Sequence, residues 1–323
     1  MLYPFTFEPI FKERVWGGRM IERLYGKPLP PRKLIGESWE LSDRPGDISV
    51  IANGPWAGRT LRWLMEHHER ELLGGARSLG GRFPLLVKIL DAREKLSLQV
   101  HPPAALAAAL RGEPKTEMWY VAEADPGAEI YAGLRPGVTR ASFEAGIRAG
   151  DAVDCFHRVP VRRGDAMFLP SGRVHALGAG LVVFEIQQNS DTTYRVSDWN
   201  RVGLDGKPRD LHIAESLQSI DFADFEPGLC GGGEGADGGT TARELVRDPL
   251  FSAVLRSLPG EALWRPDAGV MHILAVVSGR LGVESAAGSS WLNPGQFCLI
   301  PAAGGEVSLG SRGATSFLQA RAG

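Results

Sequence analysis

Residues 96–103 read LSLQVHPP, with a glutamine and a histidine two apart in an apolar run that two prolines close. In an extended strand, positions i and i+2 point to the same side. Ser97, Gln99 and His101 therefore share one face, and Leu98 and Val100 are left for packing. Two more residues can complete a donor set: Glu117, which opens a strand beyond a short helix, and His175, which follows the turn at Pro170. Gln99, His101, Glu117 and His175 together offer an amide oxygen, two imidazoles and a carboxylate. That mixture of nitrogen and oxygen suits one borderline divalent ion such as zinc. It leaves the ion with net positive charge and room for substrate oxygens, as a catalytic rather than a structural site requires. The competing explanation is a scatter of polar residues along strands.

Other charges gather around these strands. Lys88 interrupts the apolar run FPLLVKILDA, and a buried lysine needs an anionic partner. Lys115 precedes Glu117 by two and so points to its side; Glu185 and Arg195 flank IQQNSDTTY. Two lysines, an arginine and Ser97 beside a metal point to a phosphorylated, hydroxyl-rich ligand. No phosphate-cradling glycine loop of the P-loop or dinucleotide-binding kind is present. Of the other histidines, His67 and His68 fall on a charged helix, His212 reads as a helix cap or surface residue, and His272 as a satisfied core or rim residue. His157 has no informative context.

The elements that must position these groups are mostly short strands. GESWELSD (36–43), FPLLVKILDA (83–92), KLSLQVHP, EMWYVAEA, EIYAGL, FHRVPV, DAMFLP, VHALGAGLVVFEIQQ and TTYRVSDW all read as extended. Helical spacing is confined to 60–75, to the alanine-rich 103–112, to 139–150 with Thr139 as N-cap, and to 211–222. PGLCGGGEGADGG has seven glycines in thirteen residues and reads as a loop or linker. GDAMFLPSGRVHAL and GQFCLIPAAGGEVSL repeat one pattern at an offset of 131, which aligns Pro170 with Pro301 and His175 with Glu306. The expected fold is mainly β with small α insertions: two cupin-type (jelly-roll) β-barrels, of which only the first carries the metal site. The expected division is a catalytic domain over 1–226, a Gly-rich linker over 227–241, and a small barrel without metal ligands over 242–323.

Composition narrows the class. The chain has 323 residues, a net charge of −2 and 43% hydrophobic residues, which is ordinary for a globular protein with sizeable cores. Near-neutral charge without a long basic run argues against a nucleic-acid partner. No apolar stretch reaches the roughly 18 residues of a membrane span, and no secretory signal is evident at the start. Three widely spaced cysteines make no disulfide framework. A cytoplasmic location is expected; whether the chain is a monomer or a homodimer is left open.

Several of these segments resemble a known family. FKERVWGG, GESWELSD, PLLVKILDAREKLSLQVHP, KTEMWYV and GDAMFLPSGRVHALGAGLVVFEIQQNSDTTYRVSDWNR are similar to type I mannose-6-phosphate isomerases in their short bacterial form, from about residue 5 to about 222. The resemblance implies a zinc enzyme of cupin type that interconverts mannose 6-phosphate and fructose 6-phosphate through an enediol. It implies that Gln99, His101, Glu117 and His175 hold the zinc. Ser97, Lys88 and Lys115 carry over as substrate or phosphate contacts, with Lys115, Glu185 and Arg195 in the catalytic group. The general base stays open between Glu185 and a zinc-associated water. The chain departs from the family pattern after His101, where HPPAALAAAL lacks an acidic residue, and at Pro114, where glycine is usual. Both departures concern the rim of the site.

Overall fold

The computed structural model describes residues 2–237 and 240–323, and they fold mainly as antiparallel β-sheet with a few short helices. In the first part of the chain a six-stranded sheet runs in the order Ile10–Gly18, Ile35–Leu41, Leu85–Ala92, Leu181–Gln188, Glu117–Ala124, Ala166–Leu169. A five-stranded sheet runs Tyr194–Ser197, Leu98–Val100, His175–Leu177, Glu129–Leu134, Phe156–Pro160. The two sheets face each other. Leu90, Trp119, Val121, Met167 and Val183 of the first pack with Ile130, Ala132, Val159 and Leu177 of the second.

Strand alternation explains what covers the outer faces. Leu98, Val100, Ala176, Tyr194 and Val196 pack behind the five-stranded sheet with Phe143 and Ile220, near the helices Arg140–Ala149 and Ile213–Ser219. The six-stranded sheet is buried on both sides, which is why its strands read as near-continuous apolar runs. Its outer side chains, among them Val87, Ile89, Met118, Phe184 and Ile186, enter one cluster with the helix Leu61–Leu73 and a second six-stranded sheet. That second sheet contributes Phe251, Ala253, Ile273, Ala275 and Leu318, and the Phe184 and Phe297 rings lie 5.5 Å apart. Beyond it, a four-stranded sheet closes a separate core around Leu274, Val276, Leu281, Leu309 and Phe317.

The offset of 131 carries the strand Ala166–Leu169 onto Phe297–Ile300, and Gly164 and Gly295, at corresponding places, share positive φ of 93° and 75°. Some boundaries differ from expectation. The alanine-rich helix is only Ala104–Ala107, because the chain turns back early: a Cβ on Gly112 would meet Tyr194 Oη at 2.5 Å. The helix expected over 211–222 is Ile213–Ser219. Within the Gly-rich segment, Gly235–Asp237 pairs with the strand Thr240–Arg247. No described helix is long and apolar enough to cross a membrane.

Candidate functional site

The five-stranded sheet sets three of the expected residues in a row across neighbouring strands: His175 is directly opposite Gln99, and Gln99 directly opposite Arg195. The facing sheet makes a second row, in which Trp39 is opposite Lys88, Lys88 opposite Glu185, and Glu185 opposite Trp119. Glu117 begins its strand one face-turn before Met118, so its side chain enters the space between the sheets while Met118 joins the outer core. His101 lies just past the strand Leu98–Val100 and is 1% exposed.

His101, Glu117 and His175 are buried, and their donor atoms all lie within 4.8 Å of one another. His101 Nδ1 lies 2.7 Å from the Thr192 carbonyl, and His175 Nδ1 lies 2.9 Å from the Arg173 carbonyl. A carbonyl only accepts, so each Nδ1 carries the proton and each Nε2 presents a lone pair. Those lone pairs point at the Glu117 carboxylate, at 3.6 Å from His101 and 3.2 Å from His175. Neither Glu117 oxygen accepts a well-directed hydrogen bond. Burial and the Lys115 charge push the His101 pKa down to about 3, so its ring stays neutral. Burial favours the protonated form of Glu117, but Lys115 and His101 outweigh it and hold its pKa well below the ordinary value. Buried acceptors converging on one point need a cation; the Lys115 ammonium meets one side of the cluster, and two imidazoles with a carboxylate are a donor set that fits a divalent ion. The Gln99 amide is 3.3 Å from His175 Nε2, and a half-turn of that amide brings its oxygen to the same point.

Lys115 is also at the cluster, with Nζ 2.6 Å from Glu117 Oε2 and 3.4 Å from His101 Nε2. On the opposite wall Lys88 pairs with Glu185 at 3.2 Å and Glu37 at 3.7 Å. Burial alone would lower the Lys88 pKa; the two carboxylates outweigh it and raise it, so Lys88 is fixed in its charged form. Glu185 accepts from the Trp119 indole at Oε2, at 2.8 Å, while its Oε1 is the oxygen that faces Lys88. Ser97 Oγ lies 3.4 Å from Gln99 Oε1.

A cleft of about 650 Å³ opens onto this cluster. Ser97, Gln99, Lys88, Lys115, Glu185 and Arg195 all line it, and His101, Glu117 and His175 are buried behind Gln99 and Lys115. The nine expected site residues thus meet in one region. Sequence reasoning missed others on the same walls. Glu37 binds Arg14 Nε and Trp39 Nε1, each at 2.6 Å, and shares Lys88 with Glu185. Its only signal was a carboxylate in the alternating GESWEL. His212 is the N-cap residue of the helix Ile213–Ser219, as expected, but its side chain does not cap the helix: its Nδ1 accepts from the Arg195 backbone N–H at 3.2 Å, and it lines the cleft. His272 is buried in the second core region, bonded to Gln319 and to the Asp267 carbonyl.

Known proteins share this chain's sequence and its arrangement. A family model for the catalytic domain of type I phosphomannose isomerase matches residues 5–136. The mannose-6-phosphate isomerase of Streptococcus mutans is 35% identical over 306 residues, 93% of either chain. Mannose-6-phosphate isomerase ManA of Bacillus subtilis is 42% identical over 220 residues, 68% of either chain. The crystal structure of the Bacillus subtilis mannose 6-phosphate isomerase superposes with a TM-score of 0.90 at 32% identity, covering 99% of this chain and 100% of that one. Phosphomannose isomerase of Salmonella typhimurium, at 18% identity and a TM-score of 0.79, shares the fold. With identity of this extent along nearly its whole length, this chain belongs to the type I mannose-6-phosphate isomerase family.

Proposed function

We propose that the chain interconverts mannose 6-phosphate and fructose 6-phosphate, using one zinc ion held by Gln99, His101, Glu117 and His175. The observation that carries this reading is the buried set of His101, Glu117 and His175, each offering one donor atom within 4.8 Å of the others, at the inner end of a polar cleft. Bound there, the ion supplies Lewis acidity toward the substrate's oxygens.

The rest of the chemistry belongs to side chains. Isomerisation takes a proton from C2, returns one to C1, and moves another between the two oxygens by way of an enediol. Glu185 is suited to the carbon-bound proton: it is buried on the cleft wall, with Oε2 held by the Trp119 indole and Oε1 facing the Lys88 ammonium at 3.2 Å. Lys88, held protonated between Glu37 and Glu185, meets negative charge on the substrate. Lys115 does the same at the cluster, and Ser97 contributes a hydroxyl beside Gln99. Arg195 has a buried Nε without a partner, and it stabilises the negative charge that develops on the substrate oxygens.

We further read the two facing sheet pairs as two cupin-type barrels, a catalytic one over 1–226 and a second over 242–323 that holds no ligand set, joined through 227–241. The offset of 131 between matching strands supports this. The test of the function is a coupled isomerase assay on mannose 6-phosphate before chelation, after it, and after zinc is restored. Activity lost and recovered with zinc is expected; turnover unaffected by complete removal of metal would overturn the assignment.

A further inference from the structure

The two histidines of the cluster are braced by different means. His175 Nδ1 donates to the Arg173 carbonyl, two residues away, so its brace comes with its own turn. His101 Nδ1 donates to the Thr192 carbonyl, 91 residues away. Thr192 lies in the stretch between the strands Leu181–Gln188 and Tyr194–Ser197, where no ladder fixes the backbone. A ligand histidine is aimed by the acceptor behind it, so that carbonyl must be held from outside the sheets.

The loop that leads to Glu117 holds it. Thr192 Oγ1 accepts from the Glu113 N–H at 3.0 Å. Ser190 Oγ donates to the Glu113 carbonyl at 3.2 Å and accepts from the Thr192 N–H at 3.2 Å. Both polar groups of the Glu113 backbone are thus committed to residues 190 and 192. Pro114 follows. Its ring locks its own φ and confines the residue before it to extended backbone, so Glu113 is held against twisting away from these partners. Lys115 and Glu117 come two and four residues later on the same run of chain.

The Glu113 side chain anchors the loop in turn. Its Oε2 accepts from Arg44 Nη1 and its Oε1 from Arg82 Nη2, each at 2.5 Å. Burial alone would raise the Glu113 pKa; the two arginines outweigh it and lower it, so the carboxylate stays ionised between them. Arg44 belongs to the two-residue strand that follows Ile35–Leu41, and Arg82 comes just before Leu85–Ala92. Those two strands are neighbours in the six-stranded sheet that carries Lys88. Arg44 Nη1 also donates to the Asn189 carbonyl at 2.9 Å, which ties the same corner to the segment before Thr192. The three charged side chains are partly exposed, and ion pairs of that kind contribute little to overall stability. What a charge-assisted pair on each oxygen supplies is placement. Glu113 lies outside the residues that line the cleft, so its effect on the site passes through others.

We propose that Glu113 is a positioning residue for the metal centre: clamped by Arg44 and Arg82, it holds in place the Thr192 carbonyl that aims His101 Nε2 at the ion. This rests on the zinc reading above.

The test uses the full chain, stripped of metal and titrated with zinc against a chromophoric chelator. Glu113→Gln, which keeps the shape and loses the charge, should weaken zinc binding about tenfold or more, the scale for losing an outer partner of a ligand histidine. The denaturation midpoint of the metal-free protein should stay in place. Glu113→Asp, which keeps the charge on a shorter arm, should fall between. Thr192→Val, which removes the acceptor for the Glu113 N–H, should weaken zinc binding in the same direction, and Thr192→Ser, which keeps it, should lie closer to wild type. Proton exchange followed by NMR gives a second reading: in Glu113→Gln the His101 Nδ1 proton should exchange with water faster than in wild type, while that of His175 is unmoved. Unchanged zinc affinity in Glu113→Gln overturns the proposal. So does weaker binding in which both imidazole protons exchange faster and the midpoint falls, because the clamp would then serve the scaffold as a whole. Should Glu113→Gln not fold, Thr192→Val decides by the same readings. If the wild-type protein binds no zinc, the metal reading falls by itself. The imidazole protons of the metal-free protein then judge whether Glu113 places His101: faster exchange at His101 alone supports it, and unchanged exchange overturns it.

Discussion

Replacing Glu37 by glutamine removes one of the two carboxylates that hold Lys88, and the size of the effect can be worked out. Glu37 is 8% exposed. Burial drives its pKa up, but Lys88, Arg14 and the Trp39 indole outweigh burial and bring it from 4.5 down to about 2. A carboxyl whose folded pKa lies below its unfolded value stabilises the fold only while ionised. The contribution is complete above about pH 4.5 and is lost as pH falls toward 2. In full it amounts to about 3 kcal/mol, of which about 2 kcal/mol has gone by about pH 3. Glu37→Gln cannot titrate there. Denaturant unfolding of both metal-free proteins, measured from about pH 7 down to about pH 3, should therefore show wild type losing about 2 kcal/mol more than the variant. Parallel stability curves through that window would refute the argument that Lys88 and Arg14 hold this carboxylate ionised.

Two substitutions separate holding the metal from using it. His175→Ala should lose bound zinc and isomerase activity together, read by metal analysis beside the coupled assay; a metal-free variant with full turnover would remove the site from the mechanism. Arg195→Ala should retain one zinc per chain and lower kcat by at least about 10²-fold, the scale for losing a contact to a developing oxyanion; an unchanged kcat would exclude it from that role.

The residues legible in the sequence were those whose reason is local. Period-2 alternation put Leu98 and Val100 into the core behind the five-stranded sheet and left Ser97 and Gln99 on the cleft side. Lys88 stood out because a charge inside an apolar run demands an explanation. That the cluster unites His101, Glu117 and His175 depends on two sheets facing each other, and spacing could propose it only as one option among scattered polar residues. The resemblance to a family supplied the substrate. Glu37 and the contact of His212 with Arg195 were illegible for one reason: each acquires its meaning from a partner reached through folding. After the edge strand Tyr194–Ser197 the chain turns through Trp199 and Asn200, both at positive φ, a geometry that composition does not announce.

The two six-stranded sheets lie back to back, and one of them carries Lys88 and Glu185 on its far side. Ile273, Ala275 and Leu318 contact no reacting group, yet they form the bedding on which those strands rest. A change of volume there is transmitted through a close-packed interior rather than absorbed. The half of the chain without a ligand set is therefore less free to drift than its lack of chemistry implies. Its heritable variation should concentrate on the outer four-stranded sheet, where a misfit stays remote from the cleft.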